Sequence, residues 1–184
     1  MESKPDTWLR RSSKQIADCR VFTVREDECV RKNDGLEGKF FVIENSDWVN
    51  VIALTPDKKI VLIEQFRHGV EETIIEIPGG MVDAGEDPLA AAKRELAEET
   101  GFTSEKWTFL GKSHPNPALQ NNQIFHFRAE DAVQTSGTKF DEHESITMKL
   151  FSLNDVYSLI AKGRITHSLA IAAFYFLSIQ DGQL

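Results

Sequence analysis

The residues best placed to do chemistry lie in "EDPLAAAKRELAEETG", positions 86–101. Glu95, Glu98 and Glu99 stand at spacings of three and four, so they project from one side of any helix formed there. Glu86 sits in the loop just before, within reach of the same side if the loop folds back. Two carboxylates about 5.5 Å apart repel by about 3 kcal/mol at an effective dielectric near about 20. Three or four of them in one cleft therefore require a positive partner. A hard divalent cation, Mg²⁺ with Mn²⁺ as a substitute, is what carboxylate, carbonyl and water oxygens select. Gly79 and Gly80 allow close approach of the backbone, and a carbonyl there can act as a further oxygen ligand. Arg94 can pair with the neighbouring carboxylates and hold them in orientation.

These residues need elements to position them. Asp87 is a good helix N-cap, Pro88 suits the first helical position and Gly101 stops the helix. Leu89, Ala92 and Leu96 give that helix its apolar side. Upstream, "CRVFTVREDECVRK" and "KFFVIE" read as strands around an Asn33-Asp34-Gly35 turn, whose glycine supplies positive φ. "WVNVIALTP" and "KIVLIEQFR" are rich in β-branched residues and are expected to pair with each other. "TIIEI" is a short strand leading to Pro78 and the two glycines. Downstream, "KWTFLGK", "QIFHFRAE" and "SITMKLFSL" read as strands. A helix with Ser152 and Asp155 as a capping box follows and ends at Gly163. "THSLAIAAFYFLSI" is expected as a largely buried closing helix. Strands on both sides of a central helix, with another helix at the end, imply an α/β sandwich of mixed strand direction.

The 184 residues suit one domain with a real core, and 41% hydrophobic with 27% charged residues is ordinary for a globular chain. A net charge of −8 argues against a nucleic-acid or anionic-membrane binder. It leaves room for a small anionic substrate, because bound cations or clustered arginines can reverse the field in one cleft. Cys19 and Cys29 have neither metal-ligand spacing nor enough company for a disulfide framework, as expected of reduced thiols in the cytoplasm. The start lacks a secretory h-region, and "LAIAAFYFL" is about half of the roughly 18 residues a membrane span needs. No repeat or linker divides the chain. His68, His114, His126, His143 and His167 show no HExxH-type pairing, so zinc chemistry is not expected.

One pattern is far more specific than these. Gly80, Glu86, Arg94, Glu95, Leu96, Glu98, Glu99, Gly101 and Phe102 fill every fixed position of the Nudix box, a match rarer by chance than about one in a million. The chain resembles the Nudix hydrolases over nearly its whole length. It is most similar to the branch of ADP-ribose pyrophosphatases and GDP-mannose hydrolases. That branch shares Glu64-Gln65-Phe66-Arg67 at a strand end, the entry Glu76-Ile77-Pro78-Gly79-Gly80, the late acidic loop Asp141-Glu142-His143-Glu144, and a "KGRITHSLAIAA"-type ending.

The resemblance implies an α/β/α sandwich with a mixed central sheet, spanning 1–184 as one domain with 1–45 as a small N-terminal β-subdomain. It implies a homodimer whose N-terminal strands exchange; the charge and composition above lead to the expectation of a cytoplasmic protein with no nucleic-acid or membrane partner. By the same resemblance, the Gly79 carbonyl, Glu95 and Glu99 hold metal, with Glu98 close by. Arg67 contacts the substrate's phosphates, and Glu142 or Glu144 acts as general base, Glu144 also being a candidate metal ligand. The implied reaction is Mg²⁺-dependent hydrolysis of a nucleoside diphosphate sugar, of ADP-ribose or GDP-mannose type, to nucleoside monophosphate and sugar phosphate. Alternatives are other X-linked nucleoside diphosphates, such as dinucleotides or coenzymes, or a non-hydrolytic ADP-ribose sensor. The chemistry is coherent: cations screen the pyrophosphate oxygens, and a carboxylate takes a proton from the attacking water. Phe22, Trp48 and Trp107 are candidates for stacking a base. "SHPNPALQNN" departs from the commoner adenine-nucleotide pattern of the family: the glycine that often follows its proline is absent, and several amides take its place. It is expected to face the sugar or base.

Overall fold

The computed structural model describes residues 5–140 and 145–183. The chain forms two compact units, one from the residues up to 46 together with 114–122, the other from 47–113 together with 123–184.

The first unit is an antiparallel sheet of β1 (Trp8–Asp18), β2 (Thr23–Arg31) and β3 (Glu37–Glu44), with β2 in the middle. The β2–β3 turn has Gly35 at φ +75°, as the Asn-Asp-Gly sequence demands. β1 is an addition to the sequence reading. "WLRRSSKQIAD" is polar and almost wholly exposed, so no alternation marks it as a strand. It is held by its ladder to β2 and by the buried Asp27 of β2, which accepts the Ser13 hydroxyl at 2.6 Å and faces the Arg10 guanidinium at 3.6 Å. Trp8, Leu9, Ile16, Phe40 and Phe41 remain exposed. Segment 114–122 docks on the end of β3, where the Ile43 N–H donates to the Leu119 carbonyl at 2.8 Å. The Asn122 amide there donates to the Ser46 carbonyl at 3.0 Å.

In the second unit, β4 (Trp48–Ala53) lies between two partners, β7 (Gly79–Met81) antiparallel on one edge and β10 (Ile124–Glu130) parallel on the other. β9 (Lys106–Ser113) extends that sheet beyond β10. β5 (Lys59–Arg67) pairs with β6 (Glu72–Glu76) and with β12 (Ile146–Ser152). This corrects the expected β4–β5 pairing: a strand has two edges, and both edges of each strand are taken. Among the described residues a single bridge, Leu54–Ile60, links the chain just past β4 to β5. The short β8 (Phe102–Thr103) and β11 (Val133–Gln134) pair with each other.

Helix α1 (Pro88–Thr100) covers one face of this layer, and α2 (Leu153–Ala161) and α3 (Ser168–Gln180) the other. The alternation along the strands shows it. Val49, Val51 and Ala53 of β4 and Val61 of β5 pack with Ala91, Ala92 and Leu96 of α1. Ile52, Ile60 and Leu62 turn the other way, onto Val156 of α2 and Ala170, Ala173, Phe174 and Leu177 of α3. Strands buried on both faces lose the polar half of the alternation, which is why β4 and β5 read as continuous apolar runs. The result is an α/β/α sandwich with a mixed sheet. Two expectations at the C-terminal end shift. α2 stops at Ala161, with Gly163 at φ +65° just beyond it. α3 is buried on one side only, with Ile171, Tyr175 and Ile179 exposed on the other. Among the described residues no helix is long and apolar enough to cross a membrane.

His126, 0% exposed in β10, anchors α3 to the sheet. Its Nδ1–H donates to Asn50 Oδ1 at 2.6 Å, its Nε2 accepts the Ser113 hydroxyl at 3.0 Å, and the Asn50 amide donates to the Leu169 carbonyl at 3.1 Å. Burial pushes the imidazole down to about 4 from 6.5. The native state therefore binds fewer protons here than the unfolded chain between those values. The contribution is intact above pH 6.5 and lost as pH falls toward 4, roughly 3 kcal/mol for the full shift. Urea unfolding followed from pH 7 to 4 should show this loss in the wild type, and His126→Gln should flatten the slope; an equal slope in the variant would rule out this origin.

Candidate active site

The acidic helix is α1, and its boundaries form as its sequence requires. The Asp87 carboxylate accepts the Leu89 and Ala90 N–H groups at 3.0 and 3.2 Å, with Pro88 at the first position. Such a cap contributes about 1 kcal/mol. At the far end, Gly101 adopts φ +73° and returns its N–H to the Ala97 carbonyl at 2.9 Å. A Cβ there would both strain the left-handed backbone and strike the Ser136 carbonyl.

Arg94 sits at the centre of the carboxylates. Its Nε and Nη2 form a fork on Glu86, at 3.1 and 2.9 Å. Nη1 donates to Glu95 at 2.8 Å and Glu98 at 3.2 Å, and Nη2 also donates to the Met81 carbonyl at 2.9 Å. One guanidinium thus ties the acidic loop and β7 to the helix. The hydrogen bonds to Glu86, then those to Glu95 and Glu98, hold Arg94 above its ordinary value against the opposing effect of burial. The Glu86 carboxyl is held below its own ordinary value, by Arg94 first and then by the Asp83 N–H. Part of the positive charge that the sequence required is therefore Arg94 itself.

The three helix glutamates are not equivalent. Glu98 is turned outward, whereas the Glu95 side chain is 15% exposed and Glu99 is buried. Glu99 accepts the Gly79 N–H at 2.9 Å. Glu95 lies against Gly80, where a Cβ would come within 2.7 Å of both its carboxylate oxygens. The two glycines of β7 are thus required for close approach. Gly80 makes room for a carboxylate, and Gly79 lies so near β4 that a Cβ would be 2.8 Å from the Asn50 Cα. Among the described residues no three His, Cys, Asp or Glu side chains stand as a ready-made metal cluster, and Glu86, Glu95 and Glu98 are each paired with Arg94. The donor set still fits a hard divalent cation: carboxylates of Glu95 and Glu99 side by side on α1, all oxygen, backed by a backbone that leaves them space.

Arg67, at the end of β5, forms a bidentate pair with Glu76 at 2.7 Å for both bonds, and His167 Nδ1 stands 3.3 Å from the same carboxylate. Burial would raise the Glu76 carboxyl, but hydrogen bonds from Arg67 and then His167 prevail and hold it at about 2. Glu76 and His167 were missed as site residues, although both lie in motifs that the sequence displays. Glu142, Glu144 and His143 lie outside the described residues. Of the stacking candidates, Trp107 packs against the α1-side core and donates its indole N–H to the Ser104 carbonyl at 2.8 Å. Phe22 and Trp48 are half-buried.

A family model described as the NUDIX domain matches residues 46–174. The chain is similar to a methanol dehydrogenase activator of Bacillus methanolicus, 31% identical, with 92% of this chain and 91% of that protein covered. It is also similar to an ADP-ribose pyrophosphatase of Bacillus subtilis (strain 168), 30% identical, with 84% of each covered. Among solved structures, a crystal structure of an ADP compounds hydrolase superposes with a TM-score of 0.85 at 24% identity, covering 100% of this chain and 98% of that one. At that identity the superposition speaks to the fold.

Two alanine variants separate the roles of the glycines. Gly80→Ala meets the movable end of Glu95, so the unfolding midpoint should shift little while catalytic turnover falls, by about 10–100-fold if Glu95 is a positioned ligand. Gly79→Ala meets backbone and should destabilise the fold outright. Thermal unfolding beside steady-state assays decides it; full activity in a folded Gly80→Ala would contradict the placement of Glu95.

Proposed function

The chain belongs to the NUDIX domain family and is a Nudix hydrolase, and we propose that it cleaves the pyrophosphate link of ADP-ribose and similar nucleoside diphosphate sugars with the help of Mg²⁺. One observation carries this reading: Glu95 and Glu99 lie together against the Gly79–Gly80 backbone, in a box that Arg94 ties to its loop. The likeness to an ADP-ribose pyrophosphatase over 84% of both chains supports the choice of substrate.

Glu95, Glu99 and the Gly79 carbonyl would hold the divalent cation, with Glu98 beside them; Mn²⁺ would substitute. A cation bound there neutralises charge on the pyrophosphate oxygens and makes a bound water more acidic. The chain's own residues do the rest. Arg94 holds Glu86, Glu95 and Glu98 in fixed orientations, and the Gly79 N–H fixes the Glu99 carboxylate. Arg67 receives a substrate phosphate with guanidinium donors beyond the two it gives to Glu76. Glu142 or Glu144 takes the proton from the attacking water. The exposed apolar residues of the N-terminal sheet, Trp8, Leu9, Ile16, Phe40 and Phe41, support a homodimer formed through residues 1–45. A protein of this charge and composition is read as cytoplasmic.

A panel of ADP-ribose, GDP-mannose, dinucleotides and nucleoside triphosphates with Mg²⁺, its products identified, tests the reaction. ADP-ribose should yield AMP and ribose 5-phosphate; triphosphates as the best substrates would overturn the proposal. Glu99→Gln keeps an oxygen for the Gly79 N–H and should fold normally, yet turnover should fall by at least about 100-fold, the upper end of the loss from removing an outer-shell partner. Turnover at the wild-type rate would refute the ligand assignment.

A further inference from the structure

Arg67 and Glu76 are not directly opposed in their ladder. The register sets Arg67 against Glu72 and Glu76 against Ile63. Residues two apart on a strand share a face, so both side chains lie on one face of the β5–β6 pair, and Arg67 reaches along it to Glu76. The two ends of this contact differ. Glu76 is 2% exposed, whereas the Arg67 side chain is 42% exposed. The carboxylate is the fixed end and the guanidinium the outward one.

A carboxylate this deeply buried is stable only if partners replace its water. The second partner is His167. It occupies the N-cap position of α3, but its side chain caps nothing in that helix. Its Nδ1 faces Glu76 Oε2 instead, so the start of α3 and the ends of β5 and β6 converge on one carboxylate. The strand containing Glu76 runs through Ile77 and Pro78 into Gly79 and Gly80, the backbone that lies against Glu99 and Glu95. The clamp and the acidic face are therefore built on consecutive residues of one segment.

We propose that Glu76 and His167 are positioning residues, which hold the Arg67 guanidinium in place to receive a phosphate of the nucleoside diphosphate substrate. This rests on the reading that Arg67 meets the substrate. An unrestrained arginine loses rotamer freedom when it grips a phosphate, and a preformed bidentate pair removes most of that freedom beforehand. Loss of the clamp should therefore appear chiefly in KM, with a smaller change in kcat.

The test is a double-mutant cycle on the full chain, with ADP-ribose and Mg²⁺. Arg67→Ala and Glu76→Gln should each raise KM on the order of tenfold, the lower end of the loss typical of a supporting hydrogen-bond partner. The double variant should be no worse than Arg67→Ala, because both changes remove one function. His167→Ala should raise KM in the wild-type background and not in Arg67→Ala, and His167→Asn, which keeps a donor, should restore much of the loss. Multiplying effects, or a wild-type KM in folded Glu76→Gln and His167→Ala, would overturn the proposal while leaving the Arg67 reading intact. A wild-type KM in Arg67→Ala, with Glu99→Gln still inactive, would overturn the Arg67 reading itself. If Glu76→Gln does not fold, the half-exposed His167 carries the same cycle alone.

Discussion

Arg94 is surrounded by carboxylates on three sides, and the local structure depends on that contact. Glu86 comes from the loop, Glu95 and Glu98 from the helix, and the Met81 carbonyl from β7. A lysine would bring the same charge without the planar fork that serves several acceptors in fixed directions. The arrangement keeps like charges close by giving them a shared counter-ion. It therefore maintains an anionic surface in a protein that is already acidic. Such a surface does not attract a diphosphate; it becomes useful to one when cations gather on it.

The rest of the fold serves to hold that surface rigid. α1 is fixed at one end by Asp87 and at the other by a left-handed Gly101, and its inner stripe is closed against β4. Gly79 and Gly80 allow β7 to run directly beneath the two inner glutamates. On the opposite face of the sheet, α3 is tied in through His126 and Asn50 in the core and through His167 and Glu76 near its start. The elements that carry Arg67, Glu76, Gly79 and Gly80 follow one another without a long loop, so a shift in one would be felt in the next.

The helix and its chemistry were legible in the sequence because their constraints are local. Cap, stop signal, apolar stripe and acidic spacing each act within one or two turns. Glu86 reaches Arg94 as its position in the loop suggested. Long-range choices were less legible. β4 and β5 look alike as apolar runs and are adjacent in sequence, yet their edges are occupied by β7, β10, β6 and β12, which no local pattern reveals. β1 escaped because an exposed polar strand has no buried face to impose alternation. The Arg67–Glu76–His167 contact spans three elements. Its residues stood in recognisable motifs, but their convergence on a buried carboxylate needed the tertiary structure.

The central claim is that Glu95 and Glu99, backed by the two glycines, collect divalent cations. Calorimetric titration of the purified protein with MnCl₂, in the absence of substrate, addresses it most directly. The wild type should bind Mn²⁺ saturably, with excess chelator abolishing hydrolysis, and Glu95→Gln should lose the binding while keeping its fold. A wild-type protein that shows no affinity for the cation, and hydrolyses nucleotides undiminished in chelator, would contradict the account.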